Sequence, residues 1–323
     1  MINNILKLFR FLWEYLNDFA VTIRYNTYSP FEDRNLRLYY RLIILSHAIE
    51  KGLSLANPRA LFGREKILSI VAMARRYDAS NSKFPLEMAS GALHDYIEIH
   101  RKQGIVDPFL DEVEGYLKDE SAFAGIEPKG GYKRPSELKH VLPEETEGYV
   151  RFLESRYSCR HYDPSVVPLS VVEEIVRTAQ ASPSQCNRQS VRVHCYTDKS
   201  EIEKLLTLQG GASGFVDGVY NLFVITSEVT AWGGYGQRNQ GYVDCGLFAQ
   251  QLLLASYANG VGMCPLNLAV DNAKEKKIKQ AAKIHPRERL AMMISFGYPG
   301  QLDLKAARSA RLPLRSVLKM HES

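Results

Sequence analysis

Two arginines and a hydroxyl stand at alternate positions in Arg156-Tyr157-Ser158-Cys159-Arg160. Alternate residues of an extended segment face the same way, so both guanidinia and the Ser158 hydroxyl can reach one anion. Arginine holds a dianionic phosphate bidentately and keeps its own proton. Alone, the same five residues also describe an ordinary solvated turn. Next comes Ser182-Pro183-Ser184-Gln185-Cys186-Asn187-Arg188-Gln189, where Pro183 ends a helix and Ser184, Asn187 and Gln189 crowd polar groups before a strand. Ser and Asn often serve only to form turns, yet a loop that binds a polyol chain or a pyrimidine ring uses the same groups. Cys264-Pro265-Leu266-Asn267 and Arg311-Leu312-Pro313-Leu314 follow. In this order the four segments describe a cradle: cations for a phosphate, small polar groups along a chain, and a loop beside a planar ring.

The elements that must position these segments change in texture along the chain. Up to about residue 140 the pattern is helical. Ile2, Ile5, Leu6, Phe9, Leu12, Trp13, Leu16, Ala20 and Ile23 recur at helical spacing. Such a helix packs on the core or on a partner subunit, or lies on a membrane surface as aromatic-rich amphipathic segments do. Leu42 to Leu53 reads as a buried helix with Gly52 as its C-terminal cap. Asn57-Pro58-Arg59 breaks the chain, and further helices run from about Gly63 to Tyr77 and from about Pro85 to Gln103. Residues 118–148 are rich in Gly, Pro and charge, which marks a linker.

From about residue 148 helices and strands alternate. Ser170 with Glu173 reads as a capping box opening a helix through about Ala181, and Ser200 with Glu203 opens a second. Val191–Tyr196, Tyr220–Thr226 and Leu290–Phe296 read as strands. Tyr242–Ala258 is apolar on nearly every face, so it must be buried in a core or between subunits.

Composition narrows the classes. The 323 residues carry 41 Lys+Arg against 36 Asp+Glu, a net +5 spread along the chain. No clustered basic face marks nucleic-acid binding. Five cysteines, at 159, 186, 195, 245 and 264, include no C-x-x-C pair, so neither a disulfide framework nor a bound metal is expected, and a reducing cytoplasm fits. No cleavage signal is evident at the N-terminus. No stretch approaches the roughly 18 apolar residues of a membrane span. No G-x-G-x-x-G follows an expected strand, so no separate dinucleotide domain is read.

Together the segments resemble the nitroreductase-like superfamily of FMN-dependent oxidoreductases. That family carries R-R-S-x-R-x-[FY], here Arg156 to Tyr162, and A-P-S-x-x-N-x-Q-P, here Ser182 to Ser190. Its long helix D-x-G-x-x-x-Q-x-L-x-L-A is matched from Asp244 to Ala255, its G-x-G turn by Gly260-Val261-Gly262, and its G-Y-P by Gly297-Tyr298-Pro299. Its closing basic-x-P-L is Arg311 to Leu314. Two departures stand out. Ser190 and Val191 replace the family's proline and tryptophan. The segment at Cys264 is closer to the T-P-L-N of the iodotyrosine deiodinase branch than to the P-x-E-G of bacterial nitroreductases, with a thiol as the weaker donor. The other reading of Cys264 is a small buried hydrophobe.

The resemblance implies an α+β fold: a mixed, mostly antiparallel sheet flanked by helices over residues 148–323, with residues 1–140 as an N-terminal helical extension. It implies that Arg156, Ser158, Arg160 and Arg311 hold the FMN phosphate side, with Tyr157 and Cys159 also among the cofactor-binding residues. Pro183, Ser184, Asn187 and Gln189 would contact the flavin or its ribityl chain, and Met263, Cys264, Pro265 and Leu266 would lie along the ring. It implies a homodimer with sites built from both subunits. The activity implied is ping-pong reduction of an electron-poor small molecule by NAD(P)H.

The glycine-rich stretch Trp232 to Tyr242 can move. There Trp232 and Tyr235 could stack on a planar substrate, and Arg238 could pair with an anionic one. The extension around His47 and Glu50 resembles that of a subgroup associated with surface-polysaccharide biosynthesis. His47 and Glu50 share one helix face, as an acid/base pair or, more simply, a helix-packing pair. The alternative function is a non-catalytic flavin-fold subunit that docks through residues 1–140 onto that machinery or onto the inner membrane. A further variant keeps the enzyme but takes electrons from a partner protein, or treats flavin as substrate.

Overall fold

Helical apolar spacing between residues 34 and 117 gives the first unit a core of its own. The computed structural model describes every residue except 1, 56–57, 119–121, 135–142, 301–305, 308, 310 and 322–323, and no side chains at 2–5 or 143–145. Helix α1 (Ile2–Tyr25) precedes α2 (Arg34–Leu53), α3 (Arg64–Ala74), α4 (Phe84–Lys102) and α5 (Pro108–Leu117). Asp33 caps α2 by accepting from the Leu36 amide. Leu42, Ile49, Ile67, Ile70, Leu93 and Phe109 then meet in one buried cluster.

Gly52 is not the cap expected of it. It lies inside α2, and Ser54 ends the helix in the right-handed region. A Cβ at Gly52 would run into the Phe62 ring, so close packing requires the glycine. His47 Nδ1 lies 3.0 Å from Glu50 Oε2, and Glu50 Oε1 accepts from the Gly131 amide at 3.1 Å. The pair thus ties residues 130–131 onto α2. The expected linker is in part structured: Lys129 N donates to Glu87 O at 3.0 Å, and α6 (Pro143–Ser155) begins before residue 148. Asn57 of the expected chain break, and residues 135–142 of the linker, lie outside the described residues.

The second unit is a four-stranded sheet between helices. Strands β1 (Val191–Tyr196), β2 (Leu222–Glu228), β3 (Gly262–Asn267) and β4 (Glu288–Gly297) lie in the order β1-β2-β4-β3, all antiparallel. β3 was expected as a loop. It is an edge strand, and Pro265 is tolerated there because an edge has ladder positions that need no N–H. Alternation splits the core: Phe223, Ile225, Met263 and Phe296 face α7 (Leu169–Ala179) and α9 (Gln240–Ala258). Leu222, Val224, Cys264 and Met293 face α8 (Lys199–Gln209) and α10 (Asn272–Ala282). A final turn, α11 (Leu314–Val317), follows.

Both expected capping boxes give way to a neighbour. α7 starts from Pro168 with no side-chain cap, and α8 starts from Asp198, whose carboxylate accepts from Glu201 N at 2.9 Å. Aspartate caps as well as serine, and Ser200 donates to Asp198 instead. α9 is not buried all round: Tyr242, Val243 and Leu247 are between 44% and 51% exposed.

The two units meet at a buried cluster of Tyr40, Ala231 and Trp232. Thr27 N donates to Trp232 O at 3.0 Å, and Arg192 donates to the Tyr40 hydroxyl at 3.0 Å. Arg287 lies between Glu32 (3.7 Å) and Glu228 (3.3 Å).

Candidate active site

The Arg156–Arg160 segment lies along the outer edge of β3. Ser158 forms a parallel bridge with Met263, and Cys159 N donates to Met263 O at 3.0 Å. Cys159 turns inward, where Gly262 leaves room for it: a Cβ at Gly262 would stand 2.6 Å from the Cys159 Cβ. Strict alternation from Cys159 would put Arg156, Ser158 and Arg160 on the other side. Arg160 is exposed and makes only a 3.4 Å contact with Ser158 O. The Nη1 of Arg156 is buried without a hydrogen-bond partner among the described residues. Neither arginine forms an ion pair among the described residues. A buried guanidinium nitrogen left so is costly, and an anion bound here would satisfy it. This unanswered donor beside an exposed arginine suits a phosphate such as that of FMN.

Arg311 donates to the Ser309 carbonyl on its own segment, so no bond among the described residues joins it to Arg156. Along β3 itself, Met263, Cys264 and Leu266 are buried and Pro265 is exposed. Cys264 is 2% exposed, and burial raises its thiol pKa, so it sits as a neutral thiol within the core. A group beside this edge meets the Pro265 ring and the backbone first.

The Pro183–Gln189 loop is strained and pinned. Cys186, Asn187 and Gln189 hold φ of 51°, 52° and 49° on either side of a right-handed Arg188, and each left-handed position costs a non-glycine residue roughly 1 kcal/mol or more. Four contacts fix it. Gln189 N donates to Ser184 Oγ at 3.1 Å, and Gln185 N donates to Asp244 Oδ2 at 3.2 Å. Arg188 donates to Gln185 Oε1 at 2.9 Å and stacks its guanidinium over Trp232, 5.0 Å from the ring centroid. Burial lowers the Arg188 pKa and raises that of Asp244. Asn187 Nδ2 reaches Met88 Sδ on α4 at 3.9 Å, so the first unit supports the loop directly.

A cavity of about 480 Å³ opens beside this loop, lined by Tyr39, Phe84, Ser184, Gln189, Arg192 and Phe248 among others. Tyr39 and Phe84 belong to the first unit. The sequence had not singled out Tyr39, Phe84 or Arg192; no local pattern marks residues that two distant segments bring together. Of the expected gate, Trp232 is buried and donates to Ser227 Oγ at 3.1 Å, while Tyr235 and Arg238 are exposed. Trp232 thus anchors the joint, and Arg238 donates to Tyr235 O at 3.3 Å.

The loop and the arginine segment stand at diagonal corners of the sheet. The loop precedes β1, and Val191 pairs with Ser227, which pairs with Arg289. Ser158 meets Met263, which pairs with Phe296 at the other end of β4. At about 4.8 Å per strand and 3.3 Å per residue, the two segments are separated by about 19 Å across the sheet and about 20 Å along it.

The nitroreductase family model matches residues 153–213 and 207–298. Among solved structures, NfrA2 of B. megaterium is 19% identical, over 54% of this chain and 74% of that one, with a TM-score of 0.48. An FMN-dependent nitroreductase from Clostridium difficile is 20% identical, over 54% and 99%, with a TM-score of 0.46. A nitroreductase-like protein from Streptococcus mutans is 19% identical, over 55% and 100%, with a TM-score of 0.47. No curated protein sequence matches the chain. Over residues 153–298 the chain is similar to the nitroreductase family.

Proposed function

We propose that the protein is a homodimeric oxidoreductase that uses NAD(P)H to reduce an electron-poor small molecule, with two FMN sites built across the interface. The observation that carries the cofactor reading is the buried, unpaired Nη1 of Arg156 beside Ser158 and Arg160. Arg156, Ser158 and Arg160 would hold the phosphate. The exposed Pro265 on β3 would border the ring, and Asn187 and Gln189 would offer polar groups to the ribityl chain or the ring. When bound, FMN supplies the redox chemistry: electron exchange between NAD(P)H and the acceptor in ping-pong turnover.

The diagonal separation of the two segments supports a dimer. A two-fold pairing that sets the loop of one copy beside β3 of the other would close the cradle. The apolar side chains left open on α9 (Tyr242, Val243, Leu247) and on α6 (Tyr149, Val150, Leu153) give such a pairing its buried surface. Within the cavity, Tyr39, Phe84 and Phe248 would pack against a planar substrate while Arg192 and Gln189 orient its polar atoms.

The test is the visible absorbance of the pure protein before and after anaerobic NADH or NADPH. A flavin band that bleaches supports the reading. A protein that binds no FMN even after reconstitution contradicts it.

A further inference from the structure

The first helix is mounted with its polar stripe inward. Arg10 donates to Asp271 at 2.6 Å, Glu14 Oε2 accepts from Asn272 N at 2.8 Å, and Asp18 accepts from Arg289 at 2.8 Å. These three residues are four apart, so one face of α1 is tied to α10 and the start of β4 by polar contacts. The opposite side is apolar and open. Phe9, Phe11, Leu12, Trp13, Tyr15 and Phe19 are between 56% and 70% exposed. At 100° per residue the exposed apolar side chains span an arc of roughly 220°. Six large side chains so exposed offer several hundred Å² of apolar surface, at or above the largest patch of an ordinary monomer.

We propose that this face lies on an anionic lipid surface. Two observations favour lipid as the occupant. First, an arc wider than half the helix needs a partner that wraps it; the headgroup–acyl boundary does so without shape matching, and Trp and Tyr sit well there. Second, the free charge bordering the face is positive. Lys7 is exposed, and Lys276 is exposed where it lines the cleft between α1 and α10 beside Asn17 and Ala20, while Arg10 is spent on Asp271. The acids nearby, Glu14, Asp18 and Asp271, are already engaged. No helix among the described residues is long and apolar enough to cross a membrane, so the contact is peripheral. This inference does not depend on flavin.

The chain carries two tryptophans, and only Trp13 is exposed, Trp232 being 8% accessible. A vesicle-induced change in emission therefore reports on α1. The experiment floats the full-length protein with vesicles of phosphatidylcholine alone or mixed with phosphatidylglycerol, and records Trp emission and sedimentation. The expected result is flotation with the phosphatidylglycerol vesicles and a blue shift that Trp13→Phe removes. Phe9→Glu with Phe19→Glu should lower vesicle binding at least tenfold and leave the lipid-free thermal transition unchanged, because both positions are exposed. Lys276→Ala should weaken binding to the anionic vesicles about fivefold. Failure to float on either composition, or flotation unaffected by the double glutamate variant, overturns the proposal. So does a lipid-free Trp13 emission already blue-shifted in an assembly that the double variant breaks into smaller species, which would assign the face to a second copy of the chain.

Discussion

The guanidinium of Arg188 lies over the indole of Trp232, 5.0 Å from the ring centroid, and links the strained loop to the joint between the two units. Trp232 also donates to Ser227, and its carbonyl accepts from Thr27 of the segment after α1. The first unit is therefore part of the apparatus that holds the loop in its left-handed conformation. Trp232→Ala should cost about 3–5 kcal/mol in urea denaturation. Trp232→Phe should cost less, since it keeps most of the packing and loses the Ser227 bond. Equal, small losses for both would mean that the joint does not carry the loop.

Gly52 offers a test with opposite signs. Replacing an unhindered helical glycine by alanine stabilises a helix by about 1 kcal/mol. Here the added Cβ meets the Phe62 ring, itself confined between Tyr96 (5.4 Å) and His100 (5.9 Å). Gly52→Ala should therefore destabilise by about 1–3 kcal/mol. A gain in the thermal midpoint would show that the ring yields freely.

Arg156 separates binding from folding. Its unpaired Nη1 contributes nothing favourable to the ligand-free protein. Arg156→Met should leave the stability of the flavin-free protein unchanged or slightly higher. FMN affinity should fall about ten- to a hundredfold, the worth of a charge-assisted hydrogen bond. Titration by flavin fluorescence reads the second quantity and denaturation the first. A stability loss without an affinity loss would make Arg156 a structural residue.

Asp244 gives a pH dependence whose sign can be worked out. Burial raises its pKa above the ordinary 3.8, so the folded protein favours the protonated form. The stability this contributes is fully present below pH 3.8 and is lost as pH rises through the folded pKa. The stability of the wild type relative to Asp244→Asn should fall with rising pH across that window and then level off. A relative stability that climbs with pH would mean that the Gln185 and Gln240 bonds outweigh desolvation.

What was legible in the sequence was local. The strands at Val191 and Leu290 need only neighbours, and they stand as expected. Where a neighbour competed, the sequence misled: Asp198 outcompetes Ser200 as a cap, and Pro168 leaves Ser170 without a role. Gly52 shows the same limit, because the reason for it lies in Phe62, ten positions away. β3 went unread because Pro265 is ordinarily a strand breaker, and only its edge position makes it harmless. The inverted seating of α1 could not be read at all. Its periodicity revealed a stripe, but the partner of that stripe is Asp271 and Arg289, far along the chain. The cavity wall from Tyr39 and Phe84 is invisible for the same reason.

The central claim is that each flavin site takes its arginines from one copy and its loop from the other. Mixing two inactive variants tests it most directly. One carries Arg156→Ala with Arg160→Ala. The other carries Asn187→Gly with Gln189→Gly, which removes both side chains at positions whose φ glycine accepts. Each variant alone should bind FMN poorly. After subunit exchange, a mixed dimer holds one site with both defects and one site intact. Recovery of FMN binding and NAD(P)H oxidation, approaching one site per mixed dimer, is the expected result. Mixed dimers that form but recover neither would contradict the shared site and put the whole cradle within one chain.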